Sequence, residues 1–150
     1  EDFYKQKIVY PDIMRMPSKI ELLDDYPFIY LDDNKFYIEA TNFMITGENI
    51  DFIYSFLVSE VGFYTFSKFY TGPQFDATGF RYKKAYLEEA FVPLIKSETI
   101  NPINELKKFQ SDKVLFGLTN NQIWFDLIGL NDEEISHIIN YKKELLEHSR

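Results

Sequence analysis

Apolar residues change their spacing twice along this chain. Through residues 7–46 they fall in short runs divided by Pro, Asp and Asn. Lys7-Ile8-Val9-Tyr10 reads as a strand closed by Pro11, because proline has no N–H to give to a ladder. Pro17 and Pro27 bracket an irregular connection rich in Leu and Asp. Residues 28–31 and 36–39 read as two strands joined through Asp32-Asp33-Asn34-Lys35, residue types that suit a turn. Residues 43–46 read as a further strand ended by Gly47. Asn49 is placed to cap a helix, with Asp51 in the first turn favoured by the positive helix end.

From Ile50 the spacing becomes three and four: Ile50, Ile53, Tyr54, Leu57, Val58 and Val61. That period predicts a helix with one buried face, running to about Tyr70 despite Gly62. Thr71-Gly72-Pro73-Gln74 breaks it, and residues 71–79 are expected as an exposed loop. Residues 80–82 read as extended, 83–89 as a short helical turn and 91–95 as an extended apolar segment. The last third is helical in pattern, over residues 102–109, 119–128 and 132–148. Asn131 or Asp132 caps the last helix, Glu133 and Glu134 occupy its first turn, and Lys142 and Lys143 lie nearer its end. Its apolar face is Ile135, Ile138, Ile139, Leu145 and Leu146. The pattern predicts one α+β domain, with a mixed-sheet core over residues 1–95 and a helical extension over 96–150.

The aromatic share is 18%, carried by fifteen Phe and eleven Tyr, and core packing is the first account of it. The series from Phe52 to Phe69 reads as core in that sense. No apolar run approaches the roughly 20 residues of a membrane span. Residues 1–5 show no basic head leading into an apolar stretch, so no signal peptide is expected and a cytoplasmic setting fits. The absence of cysteine excludes disulfides and thiolate metal sites. The formal net charge of −8 counts against nucleic acid as a partner, since phosphate affinity comes largely from Lys and Arg. The charge is uneven, however. Residues 68–84 hold Lys68, Arg81, Lys83 and Lys84 against the single acid Asp76, while acids gather at positions 24–25, 32–33, 88–89 and 132–134.

Four segments follow one another in a family pattern. They are Lys7-Ile8-Val9-Tyr10-Pro11-Asp12-Ile13, then Phe36-Tyr37-Ile38-Glu39 with Asn42-Phe43-Met44-Ile45-Thr46-Gly47. Next come Tyr54-Ser55-Phe56-Leu57-Val58-Ser59 with Phe63-Tyr64-Thr65-Phe66, and last Gly79-Phe80-Arg81-Tyr82-Lys83-Lys84-Ala85-Tyr86-Leu87 before Phe91-Val92-Pro93. In order and spacing, residues 7–95 resemble the TaqI-like C-terminal specificity domain, the target-recognition domain of type II restriction–modification enzymes. The departure is Val58, where the family commonly has asparagine in a leucine-asparagine-serine motif. The resemblance implies a target-recognition fold that reads a short double-stranded DNA sequence in the major groove. It also implies that adenine-N6 methyl transfer, cleavage, S-adenosylmethionine and Mg²⁺ belong to a methyltransferase/nuclease domain elsewhere in the parent chain. This piece then carries no catalysis and no cofactor.

The catalytic motifs themselves are not legible here. The adenine methyltransferase loop needs Asn or Asp, two prolines and a ring, and the nearest string is Asn101-Pro102-Ile103-Asn104. Asp12 with Glu105-Leu106-Lys107 has the letters of a metal-dependent nuclease, but the second group falls in helical sequence. His137 and His148 have no metal-ligand spacing and read as surface residues.

For DNA, Arg81, Lys83 and Lys84 supply phosphate neutralisation and one base contact, arginine being the better bidentate partner of guanine. The bland reading of Arg81 is an ion pair with Asp76 or Glu88 on a solvated turn. Gln74 can pair with adenine, Lys68 can meet the backbone, and Arg15 with Lys19 forms a second contact arm. The rival reading is a module that docks a protein partner through exposed aromatics and the amphipathic last helix.

Overall fold

The computed structural model describes residues 5–17, 25–33, 41–71, 79–93, 96–109 and 111–148. The expected strand at 36–39 lies outside them. Strand β1 (Lys7–Pro11) is the centre of a three-stranded antiparallel sheet, flanked by β3 (Tyr30–Asp32) and β4 (Asn42–Ile45). A second, two-stranded sheet pairs β2 (Ile13–Arg15) with β5 (Gly79–Arg81). β2 lies between Pro11 and Pro17, just ahead of the stretch whose sequence reads as irregular, where the pattern predicts no separate strand. Its three residues are too few to show an alternation, and only pairing with β5 makes it a strand.

The helix predicted to run from Ile50 to Tyr70 is divided. α1 covers Ile50–Val58, α2 covers Glu60–Thr65, and a π-helical turn covers Phe66–Tyr70. Ser59 makes the break with extended backbone. Its hydroxyl donates to the Phe56 carbonyl at 2.6 Å and accepts from the Gly62 N–H at 2.9 Å, capping α2. Gly62 is what allows so close a return: a Cβ there would stand 1.8 Å from the Phe56 carbonyl oxygen. Asn49 precedes α1 in the left-handed region and makes no side-chain cap.

The helical part consists of α3 (Lys84–Glu89), α4 (Ser97–Glu105) with a 3₁₀ turn at Leu106–Phe109, α5 (Lys113–Ile128) and α6 (Asp132–His148). α4 starts five residues before the predicted 102, with Pro102 inside it, because Thr99 Oγ1 holds the Lys96 N–H at 2.8 Å and closes the first turn. α5 starts six residues before the predicted 119, capped by the Asp112 carboxylate on the Leu115 N–H at 3.0 Å. For α6 the cap is Asn131, which exchanges two 2.9 Å bonds with Glu134. The fold is therefore α+β, with small antiparallel sheets and a helical C-terminal part.

Two apolar cores meet along α1 and α2. Ile50, Leu57 and Phe63 point into the first, with Ile8, Met14, Tyr26, Phe80 and Tyr82. Phe52, Phe56 and Val61 point into the second, with Ile103, Leu106, Trp124 and Ile138. The aromatic series is core as expected except at its end, where Phe69 is exposed. Among the described residues no helix is long and apolar enough to cross a membrane.

Candidate nucleic-acid interface

The β2–β5 ribbon sorts its side chains by register. Opposed residues of an antiparallel pair share a face. Met14 opposes Phe80, and both are buried in the first core. Ile13 opposes Arg81 and Arg15 opposes Gly79, so both arginines stand on the other, outward face. Arg15 is exposed, and the Arg81 side chain is 36% exposed. Gly79 lies beneath them, where a Cβ would come within 3.3 Å of Ile13 Cγ2 and 3.5 Å of Arg15 Cγ.

Asp12 joins the two sheets. Its N–H donates to the Thr41 carbonyl at 3.3 Å, and its carbonyl accepts from the Tyr82 N–H at 2.7 Å. Its carboxylate stands 3.8 Å from Arg81 Nη1. The ion pair anticipated for Arg81 thus involves Asp12, which spacing along the chain did not suggest. Both arginines have further contacts besides these.

Lys83 and Lys84 follow β5 after the buried Tyr82, and both are exposed. Lys83 Nζ lies 5.8 Å from the centre of the Tyr86 ring, and Lys84 Nζ lies 3.5 Å from Glu88 Oε1 one helical turn on. With its two ends well exposed, that pair contributes little to stability. The acids near this surface are felt below it. Tyr10 is pushed up to about 12, first by burial and then by Glu88 and Asp12. Among the described residues the local balance is four cations, Arg15, Arg81, Lys83 and Lys84, against the carboxylates of Asp12, Glu88 and Glu89. It is much less acidic than the chain as a whole.

Lys68 has a different setting, over the rings of Tyr64 and Tyr141 at 5.4 and 5.6 Å. Lys19 and Gln74 lie outside the described residues, each a few positions from an end of the ribbon. The letters of the nuclease motif are used separately: Asp12 faces Arg81, Glu105 pairs with Lys108 at 2.9 Å, and Lys107 pairs with Asp51 at 3.0 Å. Among the described residues no three His, Cys, Asp or Glu gather to hold a metal ion. His137 and His148 are both exposed; the first meets Tyr64 Oη at 3.3 Å.

Two lysines are buried. Lys7 pairs with Asp32 across β1 and β3. Lys142, taken above for a helix-end cation, is buried where α6 crosses α2, with Glu60 Oε1 at 2.8 Å and the Tyr26 carbonyl at 2.9 Å. Its spacing from Ile138 and Leu145 on the apolar stripe was the available signal. Compared with protein-family models, with curated proteins and with solved structures, the chain finds no match.

Proposed function

We propose that this chain is a DNA sequence-recognition module of a restriction–modification enzyme. Methyl transfer and cleavage, with S-adenosylmethionine and Mg²⁺, lie in a methyltransferase/nuclease domain of the parent chain, in the cytoplasm. The observation that carries the reading is the pair Arg15 and Arg81 on the outward face of one two-stranded ribbon, continued by Lys83 and Lys84. B-DNA's major groove admits such a ribbon, and arginine is the side chain best matched to guanine there. The lysines are placed to position the duplex through phosphate, without reading sequence. Glu88 and Asp12 oppose loose binding, so affinity depends on displacing those carboxylates from the cations.

The test is fluorescence anisotropy with a library of short duplexes over a salt series. Lys83→Ala with Lys84→Ala weakens binding to all sequences and lowers the salt slope by about two. Arg81→Ala relaxes the choice of base instead. An unchanged salt slope in the double variant overturns the assignment.

A second reading is favoured by one observation. Val114, Leu115 and Leu118 are 66%, 42% and 66% exposed on one side of α5, an apolar face suited to a protein partner. The last helix, α6, uses its own apolar face inside the fold, through Ile138 and Tyr141.

A further inference from the structure

A cleft of about 590 Å³ opens between the segment around β3, α1 and α5. It is separate from the ribbon and shares no residue with it. Tyr54 of α1 and Phe116 of α5 form one wall, their ring centres 6.3 Å apart. Tyr30, 58% exposed, stands at the opening from β3. Two features of α5 are hard to explain by packing. Gly117 lies in the middle of the helix, where glycine is unfavourable. A Cβ there would meet no atom within 4 Å among the described residues, so no close contact requires it. The bare position leaves the cleft open. One turn on, Asn120 is 1% exposed and lines the same cleft. Its Nδ2 donates to the Ser55 carbonyl at 2.8 Å, which fixes the amide, and its Oδ1 is buried with no donor among the described residues. A buried acceptor left without a donor is costly and uncommon. Two lysines and two of the three lining carboxylates pair, Lys113 with Asp25 at 3.6 Å and Lys107 with Asp51 at 3.0 Å, and Asp33 adds one further negative charge.

We propose that this cleft binds a neutral, planar heteroaromatic molecule of purine-nucleoside size that donates an N–H to Asn120 Oδ1. Aromatic walls select a flat ring system, the surplus carboxylate of Asp33 disfavours an anion, and the volume lies in the range of small-molecule sites. The probe is adenosine, titrated into the full 150-residue chain and followed by amide NMR shifts. Shifts are expected in residues 54–58 and 113–120. N6,N6-dimethyladenosine, which has no exocyclic N–H, binds about tenfold more weakly, the loss expected when a buried acceptor goes unmatched. Gly117→Leu fills the cleft and abolishes the shifts, while circular dichroism shows the helices retained. Gly117→Ala, which adds only a methyl, weakens binding and keeps the fold. Absence of shifts with adenosine near its solubility limit overturns the site. So does unchanged binding by Gly117→Leu, and equal binding of the dimethylated probe overturns the role of Asn120.

Discussion

Lys142 is the place where a single substitution should hurt the fold most for the fewest atoms removed. Its side chain is 8% exposed and that of Glu60 is 16% exposed, so the ion pair between them is largely shut off from water. Nζ also donates to the Tyr26 carbonyl and lies 5.9 Å from the centre of the Phe63 ring. Lys142→Met keeps the length of the stem and removes the charge. It leaves the Glu60 carboxylate buried without its cation, and Glu60 Oε2 already has no hydrogen-bond partner among the described residues. The cost of such a broken pair is about 3–5 kcal/mol. Adding Glu60→Leu removes the stranded charge. What then remains is the Tyr26 carbonyl without a donor, at about 1–3 kcal/mol. The double variant should therefore be more stable than Lys142→Met alone, an unusual sign for adding a second core change. Urea unfolding of the two single variants and the double closes the cycle. A Lys142→Met loss below about 1 kcal/mol would refute the burial argument, since exposed pairs contribute no more than that. A double variant as unstable as the single would refute the stranded-charge argument.

Ser59→Ala removes the α2 cap and should cost about 1–2 kcal/mol in the same unfolding assay, whereas loss of a few tenths would mean the break needs no cap. Gly62→Ala places a methyl against the Phe56 carbonyl and should cost more than about 3 kcal/mol; a stable Gly62→Ala protein would contradict the close approach. Burial holds Tyr26 and Tyr82 well above the ordinary tyrosine value, and Tyr10 at about 12. A raised folded value means the folded state keeps the proton. That stability is complete below pH of about 10 and lost as pH rises beyond it. Denaturant midpoints should fall above that point, with tyrosinate absorbance lagging for these residues until unfolding; simple titration of all tyrosines near pH of about 10 in a still-folded protein would sink it. Trp124 is the one tryptophan, buried against Phe52 and Phe56 in the second core, so its fluorescence should change together with whole-chain circular dichroism if the shared helix couples the cores; two separated transitions would refute that.

Much of the architecture was legible from residue spacing. The period of three and four from Ile50 marked the helix on which both cores are built, and the Asn131 cap placed α6 correctly. What failed was local. The break at Ser59 depends on a hydroxyl bonding its own backbone and on a glycine meeting a carbonyl six residues back, and neither alters the apolar period. The early start of α5 was hidden because its first turns are apolar on two sides, with Phe116 turned in and Val114 and Leu118 turned out. For the interface, sequence could nominate Arg81 and Arg15 only separately, since 66 positions divide them. Their common face comes from pairing between β2 and β5, and so does Asp12 as the neighbour of Arg81. The cleft left no sequence signal, since Gly117 falls before the helical pattern that begins at 119.

The same contacts explain why a helical extension is useful to a ribbon of only two short strands. Three residue pairs cannot hold such a ribbon in place on their own. β2 is gripped from below: the Tyr26 hydroxyl donates to the Met14 carbonyl at 3.2 Å, directly beside Arg15. The Tyr26 backbone carbonyl is in turn held by Lys142, and Lys142 by Glu60. The Tyr26 ring packs edge-on against Phe63, and Phe63 in the same way against Phe80 of β5. Both strands of the ribbon therefore rest on groups that α2 and α6 position. Lys142 lies 47 positions past residue 95, yet it helps fix the placement of the two arginines proposed to meet DNA. The helical third is thus a support for the β2–β5 ribbon, and Lys142→Met should loosen β2 and β5 before it unfolds the second core.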